Sequence, residues 1–269
     1  MPGDISTDGE KEAFMAFNEI SSRYDFPVYT TTGNHDLHTK YEKENWLKYM
    51  NGGAYGDVVA EGIVNVSDNG LDFVYEESAN GDIFIFLHQT SNNYGLLTGA
   101  LLEMSQLDWL EAQLEMYKDR SVYLFFHTFL NSAKGNPFMS TGNVQNSMGW
   151  HYVLYYTPGA VDEVRIRELL RVYDNVTFFN GHSHRAYHMQ YLKPDLNISK
   201  NGVDGATFVH VSSVSSPRVT EDYGVLWSGT DPTMSEGYLI EVYEDTIMLY
   251  GIDFVNNRIL AYATYEAAK

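Results

Sequence analysis

The chain has 269 residues, 44 % of them hydrophobic, enough to bury a core and to exclude wholesale disorder. Acidic residues number 36 against 17 lysines and arginines, a net charge of −19; a surface of that sign repels a polyphosphate backbone, so long DNA or RNA is disfavoured as a ligand. No cysteine is present, which excludes disulfides, thiolate metal sites and a Cys nucleophile, and leaves nitrogen and oxygen as the atoms available to a metal.

The elements are read in chain order. No apolar run approaches the roughly 18 residues of a bilayer span, and Met1-Pro2-Gly3-Asp4 has no basic and apolar leader. The expectation is a soluble chain without a signal peptide or membrane-spanning segment. With no repeat and no linker, residues 1–269 read as one domain. Ala13, Phe17, Ile20 and Tyr24 recur at helical spacing and predict a helix over 10–24, capped by Ser6, Thr7 or Asp8. Phe26 to Thr30 reads as a short strand, and Glu42 to Met50 as a helix. Strand-like stretches follow near Gly62–Val66 and Leu71–Tyr75, and Ile83–Leu87 is a continuous apolar run of strand length. Met104, Leu107, Leu110, Leu114 and Tyr117 mark a second helix, and Val122–Phe126 another apolar strand. Asn131 to Gly149 reads as a long loop, a feature often functional in compact domains. Ile166, Leu169, Leu170 and Tyr173 mark a third helix, Val176–Phe179 and Thr207–Val211 two further strands. From Gly237 onward the pattern is a meander, with Asn256-Asn257 as a two-residue hairpin turn. Helices alternating with fully apolar strands predict an α/β protein whose sheets are covered by helices.

Polar groups of one kind recur at one position, just after an apolar strand. Gly33-Asn34-His35-Asp36 follows Phe26–Thr30, His127 follows Val122–Phe126, and Asn180-Gly181-His182-Ser183-His184 follows Val176–Phe179. In sheets covered by helices, ligands bind beyond the carboxyl ends of the strands, so these residues can converge on one rim. Each motif alone has a plainer meaning: His-x-His is an ordinary surface loop, Gly33-Asn34 is turn chemistry, and Gly3-Asp4 is a loop with a capping acid. Their repetition is what points to a site. Imidazoles with a carboxylate and a carboxamide oxygen suit Zn, Fe or Mn.

The order Gly3-Asp4, Gly33-Asn34-His35-Asp36, His127 and Gly181-His182-Ser183-His184 resembles the calcineurin-like metallophosphoesterase superfamily. Met104-Ser105-Gln106-Leu107-Asp108-Trp109-Leu110 resembles the helix that family places between its third and fourth motifs. The resemblance implies a four-layer fold, two mixed β-sheets packed as a sandwich flanked by helices. It implies two divalent metal ions (Mn, Fe or Zn), with Asp4 bridging them. Asn34, His127 and His182 would complete the shell of the second metal, and His184 would serve the first. His35 would protonate the leaving oxygen, with Asp36 orienting it. The implied reaction is hydrolysis of a phosphate mono- or diester by a hydroxide on the metal, and the net charge of −19 points to a small substrate.

The family opens with a strand ending in Asp-x-His upstream of Gly-Asp, and only three residues precede Asp4. The expectation is a domain missing its first strand or strands. The alternatives are a single tight metal at Asp4, Asn34, His127 and His182, or a substitute ligand, His88 being the best placed and His38, His151, His188 and His210 less so. A degenerate or truncated metal-binding domain with little activity is therefore the rival reading. Trp150-His151-Tyr152, the serines of Val211–Arg218 and Arg218 itself read as loop and surface features. The 21 tyrosines suit sheet faces and cores. The sequons at Asn65, Asn175 and Asn197 carry little weight without a secretory context.

Overall fold

Ile83–Phe86 (β3), Val122–Phe125 (β4), Val176–Asn180 (β5) and Thr207–His210 (β7) lie side by side in parallel, in the registers Ile83↔Val122↔Val176 and Phe86↔Phe125↔Phe179. The computed structural model describes residues 1–37, 46, 50, 62–90, 101–128, 161–182, 184, 186–187, 198–200, 205–215, 217 and 231–266. Antiparallel strands complete the sheet at both edges. Ile63–Val66 (β1) and Phe73–Glu76 (β2) precede β3, and Ile198–Lys200 (β6) pairs with the far side of β7. The result is a mixed seven-stranded sheet in the order β1-β2-β3-β4-β5-β7-β6. A second, antiparallel sheet of three strands comprises Glu236–Val242 (β8), Thr246–Asp253 (β9) and Arg258–Glu266 (β10).

The central strands are apolar throughout because both of their faces are covered. Ile83, Ile85, Val122, Leu124, Val176 and Phe178 point to one side. There they meet Leu107, Leu110 and Leu114 of the helix Met104–Met116 (α2) and Ile166, Leu169 and Leu170 of the helix Val161–Val172 (α3). Phe84, Tyr123, Phe125, Phe179 and Val209 point to the other side and pack on Ile247 and Leu249 of β9. The described residues thus form three layers: helices, large sheet, small sheet. Among them no helix covers the outer face of the small sheet, where Leu239 and Ile259 are exposed.

Several expectations are corrected. Tyr29 to Thr31 run beside Met1, which donates its amine to Tyr29 O and accepts Thr31 N–H, but 26–30 is not a strand and Phe26 is exposed. The first helix is Lys11–Ser21 (α1), and its N-cap is Glu10, not Ser6, Thr7 or Asp8. Phe14 is its buried residue, while Ile20 and Tyr24 are exposed. The turn between β9 and β10 has four residues, since Asp253 pairs with Arg258, and Asn257 takes the left-handed conformation (φ 46°). Glu42 to Met50 lies outside the described residues except for Trp46 and Met50, both helical and buried. The loop 131–149, Trp150-His151-Tyr152, Arg218, Asn197, His38 and His188 also lie outside them.

Candidate metal centre

Parallel strands deliver their carboxyl ends to the same rim, and the ladder continues past their ends. Phe126 N–H donates to Phe179 O, Gly181 N–H to His127 O at 2.9 Å, and Val211 N–H to Asn180 O. The Gly181–His127 bond sets the first residue past β5 directly beside the second residue past β4. The His127 and His182 rings therefore meet edge to face, with centroids 4.9 Å apart.

Four chain segments bring ligand-type atoms to one point. His127 Nε2 lies 3.0 Å from Asn34 Oδ1, 2.9 Å from His182 Nδ1 and 3.2 Å from Asp4 Oδ2. Ligand atoms of Asp4, His127 and His182 all fall within 4.8 Å of one another. His127 Nδ1 donates to Pro2 O at 2.7 Å; a carbonyl only accepts, so the neutral ring turns its lone pair on Nε2 toward the cluster. Burial alone pulls the His127 ring down, but the Asp4 carboxylate overrides it and raises its basicity. Burial likewise pushes the Asp4 carboxyl up, and the charge of His127 beside it, with those of His182 and His35, brings it far below the usual carboxylate range.

This donor set fits a cation. A second proton on His127 can serve one of its three neighbours, whereas a cation serves all four donors. Asp4 Oδ2 is buried and takes no hydrogen bond, an orphan of the kind that an ion satisfies. Gly33 closes the cradle: a Cβ there would overlap Asp4 Oδ1 and stand 2.5 Å from Asp4 N. The backbone is also held in the left-handed region at Asp4 (φ 56°), His182 (φ 72°) and His184 (φ 58°). Such strain costs roughly 1–3 kcal/mol a residue and clusters at functional sites.

The remaining predicted residues take distinct places. His184 lines the same cavity, but its ring stands outside the Asp4–His127–His182 cluster. His35 donates its backbone N–H to Asp4 Oδ1 at 3.0 Å, and its Nδ1 is 2.6 Å from Thr7 O, which fixes that nitrogen as the protonated one. Asp36 does not orient His35. Its fully buried carboxylate accepts the N–H groups of Asp4 (2.9 Å), Gly33 (2.9 Å) and Ser6 (2.9 Å), and the Ser6 hydroxyl (3.0 Å). Burial pushes this carboxyl up, aided by the charge of Asp4, and the donors of Gly33 and Ser6 oppose the shift. Asp36 is the clamp that holds the Asp4 turn against the Gly33-Asn34 turn.

The other described histidines do not join the cluster. His88 is buried beside Asp72, which accepts its N–H at 2.8 Å, with Gln106 donating to the same carboxylate. His210 faces Asn180 Oδ1 at 2.6 Å. Two supports went unread in the sequence, the carbonyls of Pro2 and Thr7, and a third is Gln89. Its Oε1 accepts the Thr128 hydroxyl at 3.0 Å and its carbonyl accepts the Thr32 hydroxyl at 2.7 Å, tying the segments that carry His127 and Asn34. Of the sequons, Asn175 is buried with its amide on Tyr117 O and Arg120 O, and Asn65 accepts Trp109 Nε1–H.

Residues 1–186 match the model of the calcineurin-like phosphoesterase family. The chain belongs to that family. The match takes in every residue of the cluster and ends before β6, so the small sheet lies outside it. Over 129 residues the chain is 28 % identical to the probable glycerophosphodiester phosphodiesterase GpdQ of Arcobacter nitrofigilis, covering 46 % of this chain and 39 % of that protein. The purple acid phosphatase PPD1 from yellow lupin (Lupinus luteus) seeds shares the fold, with a TM-score of 0.52 and 14 % identity over 98 % of this chain and 45 % of that one. The chain thus spans less than half the length of either relative. Its fold is the mixed α/β architecture shared with the purple acid phosphatase structure, and no described helix is long and apolar enough to cross a membrane.

Proposed function

We propose that the chain hydrolyses small phosphate mono- or diesters with Mn, Fe or Zn ions held by Asp4, Asn34, His127 and His182, and with His184 serving a neighbouring ion. The observation that carries this reading is the convergence of four donor atoms around His127 Nε2. Likeness to a protein named a probable glycerophosphodiester phosphodiesterase favours phosphate esters, and the net charge of −19 favours small ones over long polyanions. When bound, the ions supply Lewis acidity to the phosphoryl group and to the attacking water.

The protein's own groups do the rest. Pro2 O holds the His127 ring in the tautomer that presents Nε2, as carbonyl partners do for metal-binding imidazoles. Asp36 fixes the turn that carries Asp4. Thr7 O holds the proton of His35 on Nδ1, so that Nε2 is the atom from which a second proton passes to the leaving oxygen.

The rival reading is a metal-binding domain with little or no activity. It is favoured by one observation: among the described residues a single cluster of such ligands forms, Asp4, His127 and His182. Elemental analysis of the purified chain, paired with hydrolysis of 4-nitrophenyl phosphate and bis(4-nitrophenyl) phosphate under added Mn, Fe or Zn, separates the two. Two ions per chain with turnover supports the enzyme. One ion without turnover supports the binding domain, and no ion sinks both.

A further inference from the structure

A cavity of about 410 Å³ opens directly beside the cluster. Asp4, His127, His182 and His184 form one end of it. The walls away from that end are mostly apolar, with Phe125, Phe179, Val211, Tyr238 and Ile240, and Val214 and Phe254 half-exposed at the mouth; Ser212, Ser213 and Ser215 are the hydroxyl-bearing residues among the lining. Phe125 and Phe179 belong to a row of stacked rings across the large sheet. Phe73 stacks on Phe86 at 4.6 Å, Phe86 on Phe125 at 5.0 Å and Phe125 on Phe179 at 4.9 Å, the planes within 13°. Adjacent strands in register, antiparallel for Phe73 and Phe86 and parallel for Phe86, Phe125 and Phe179, hold these rings in line, so the wall is preformed. No lysine or arginine is among the described residues that line the cavity.

The two ends demand different things of a ligand. The cluster suits a phosphoryl group. The walls suit a flat apolar group, and among the described lining residues none carries a cationic side chain to pair a second anion, whose burial beside the rings would be costly. Resting on the phosphoesterase reading above, we infer that the cavity binds the alcohol portion of the ester and selects an uncharged aromatic group, so that the substrates are aryl or aralkyl phosphates. The size is that of a small-molecule site, and mostly apolar pockets with a few convergent polar groups are the usual form of one.

The test uses phosphonates, which bind without turnover. The whole chain, with Mn supplied, is titrated by calorimetry with phenylphosphonate and with methylphosphonate. Burying one ring predicts that phenylphosphonate binds about tenfold or more tightly. Val214→Trp fills the mouth from an exposed position, so folding is not at risk, and it is expected to reduce the phenyl-to-methyl ratio severalfold. Phe254→Ala removes the opposite rim and is expected to lower the same ratio. Equal affinity for the two phosphonates, in a chain that hydrolyses 4-nitrophenyl phosphate, overturns this inference and leaves the phosphoesterase reading standing. Binding of neither ligand together with no hydrolysis overturns both. A ratio unchanged in Val214→Trp and Phe254→Ala also overturns it, because the ring would then sit elsewhere.

Discussion

Asp36 lies beneath Asp4 and accepts its backbone N–H at 2.9 Å, although 32 residues separate them. The same carboxylate holds Gly33 and Ser6. Asp36→Asn replaces one acceptor oxygen by an NH2 facing N–H donors in a fully buried place. The variant is expected to lose about 1–3 kcal/mol of stability, the usual effect of leaving buried donors unpaired, measured by urea unfolding without metal. If Asp36 acts as a clamp, activity falls by the same factor for good and poor leaving groups. A loss that grows with leaving-group pKa would restore the role of orienting His35.

His35 and His182 are expected to fail in different ways. His182→Ala removes an atom 2.9 Å from His127 Nε2, so metal content and activity should drop together. His35→Ala leaves the donors around His127 in place and should keep the metal while slowing turnover. General acids contribute about 10²–10⁴-fold, and the deficit should be greatest for unactivated alkyl esters, whose leaving oxygen most needs the proton. Parallel metal analysis and a leaving-group series check both. A wild-type rate for His35→Ala on every ester would remove the general acid from the scheme.

Much of this site could be read from spacing because its side chains sit at equivalent places: His127 after β4 and His182 after β5. The strands themselves were legible for the same reason that they are central, being apolar on both faces. Phe26 to Thr30 has strand-like residues but not the pairing, which only a neighbour can supply. Ile198–Lys200 is too short and polar to announce itself. The supports were hidden for another reason. Pro2 and Thr7 act through main-chain carbonyls, which carry no side-chain signature, and Ser6 and Asp36 resemble a helix cap and a catalytic acid until their hydrogen bonds are seen.

Gly33 is expected to tolerate no side chain. An added Cβ overlaps Asp4 Oδ1 and approaches Asp4 N to 2.5 Å, and the crowding is against a backbone held by Asp36. Gly33→Ala should push Asp4 away from His127 and weaken metal binding about tenfold or more, because ligand positions tolerate errors of only about half an ångström. Metal titration followed by thermal melting reads this, since a ligand that binds only the folded state raises its stability with concentration. A variant that melts with the same metal dependence as the parent would show that the cradle yields.

The small sheet offers a pH test away from the metal. Asp253 ends β9, is buried, and accepts Asn256 Nδ2–H at 2.6 Å and Arg258 Nε–H at 3.2 Å. Burial pushes its carboxyl up, but the Asn256 and Arg258 donors outweigh burial and hold it below the ordinary carboxylate value. A carboxyl depressed in the folded state binds its proton more readily when unfolded. Its stabilisation is therefore complete above the unfolded value, about pH 4, and is lost as pH falls through the lower folded one. Asp253→Asn is expected to lower the melting temperature near neutral pH and to flatten its fall below about pH 4. Melting curves of both proteins across the acid range decide the matter: parallel curves would mean that Asp253 contributes no pH-dependent stability and that the four-residue turn is held by its backbone alone.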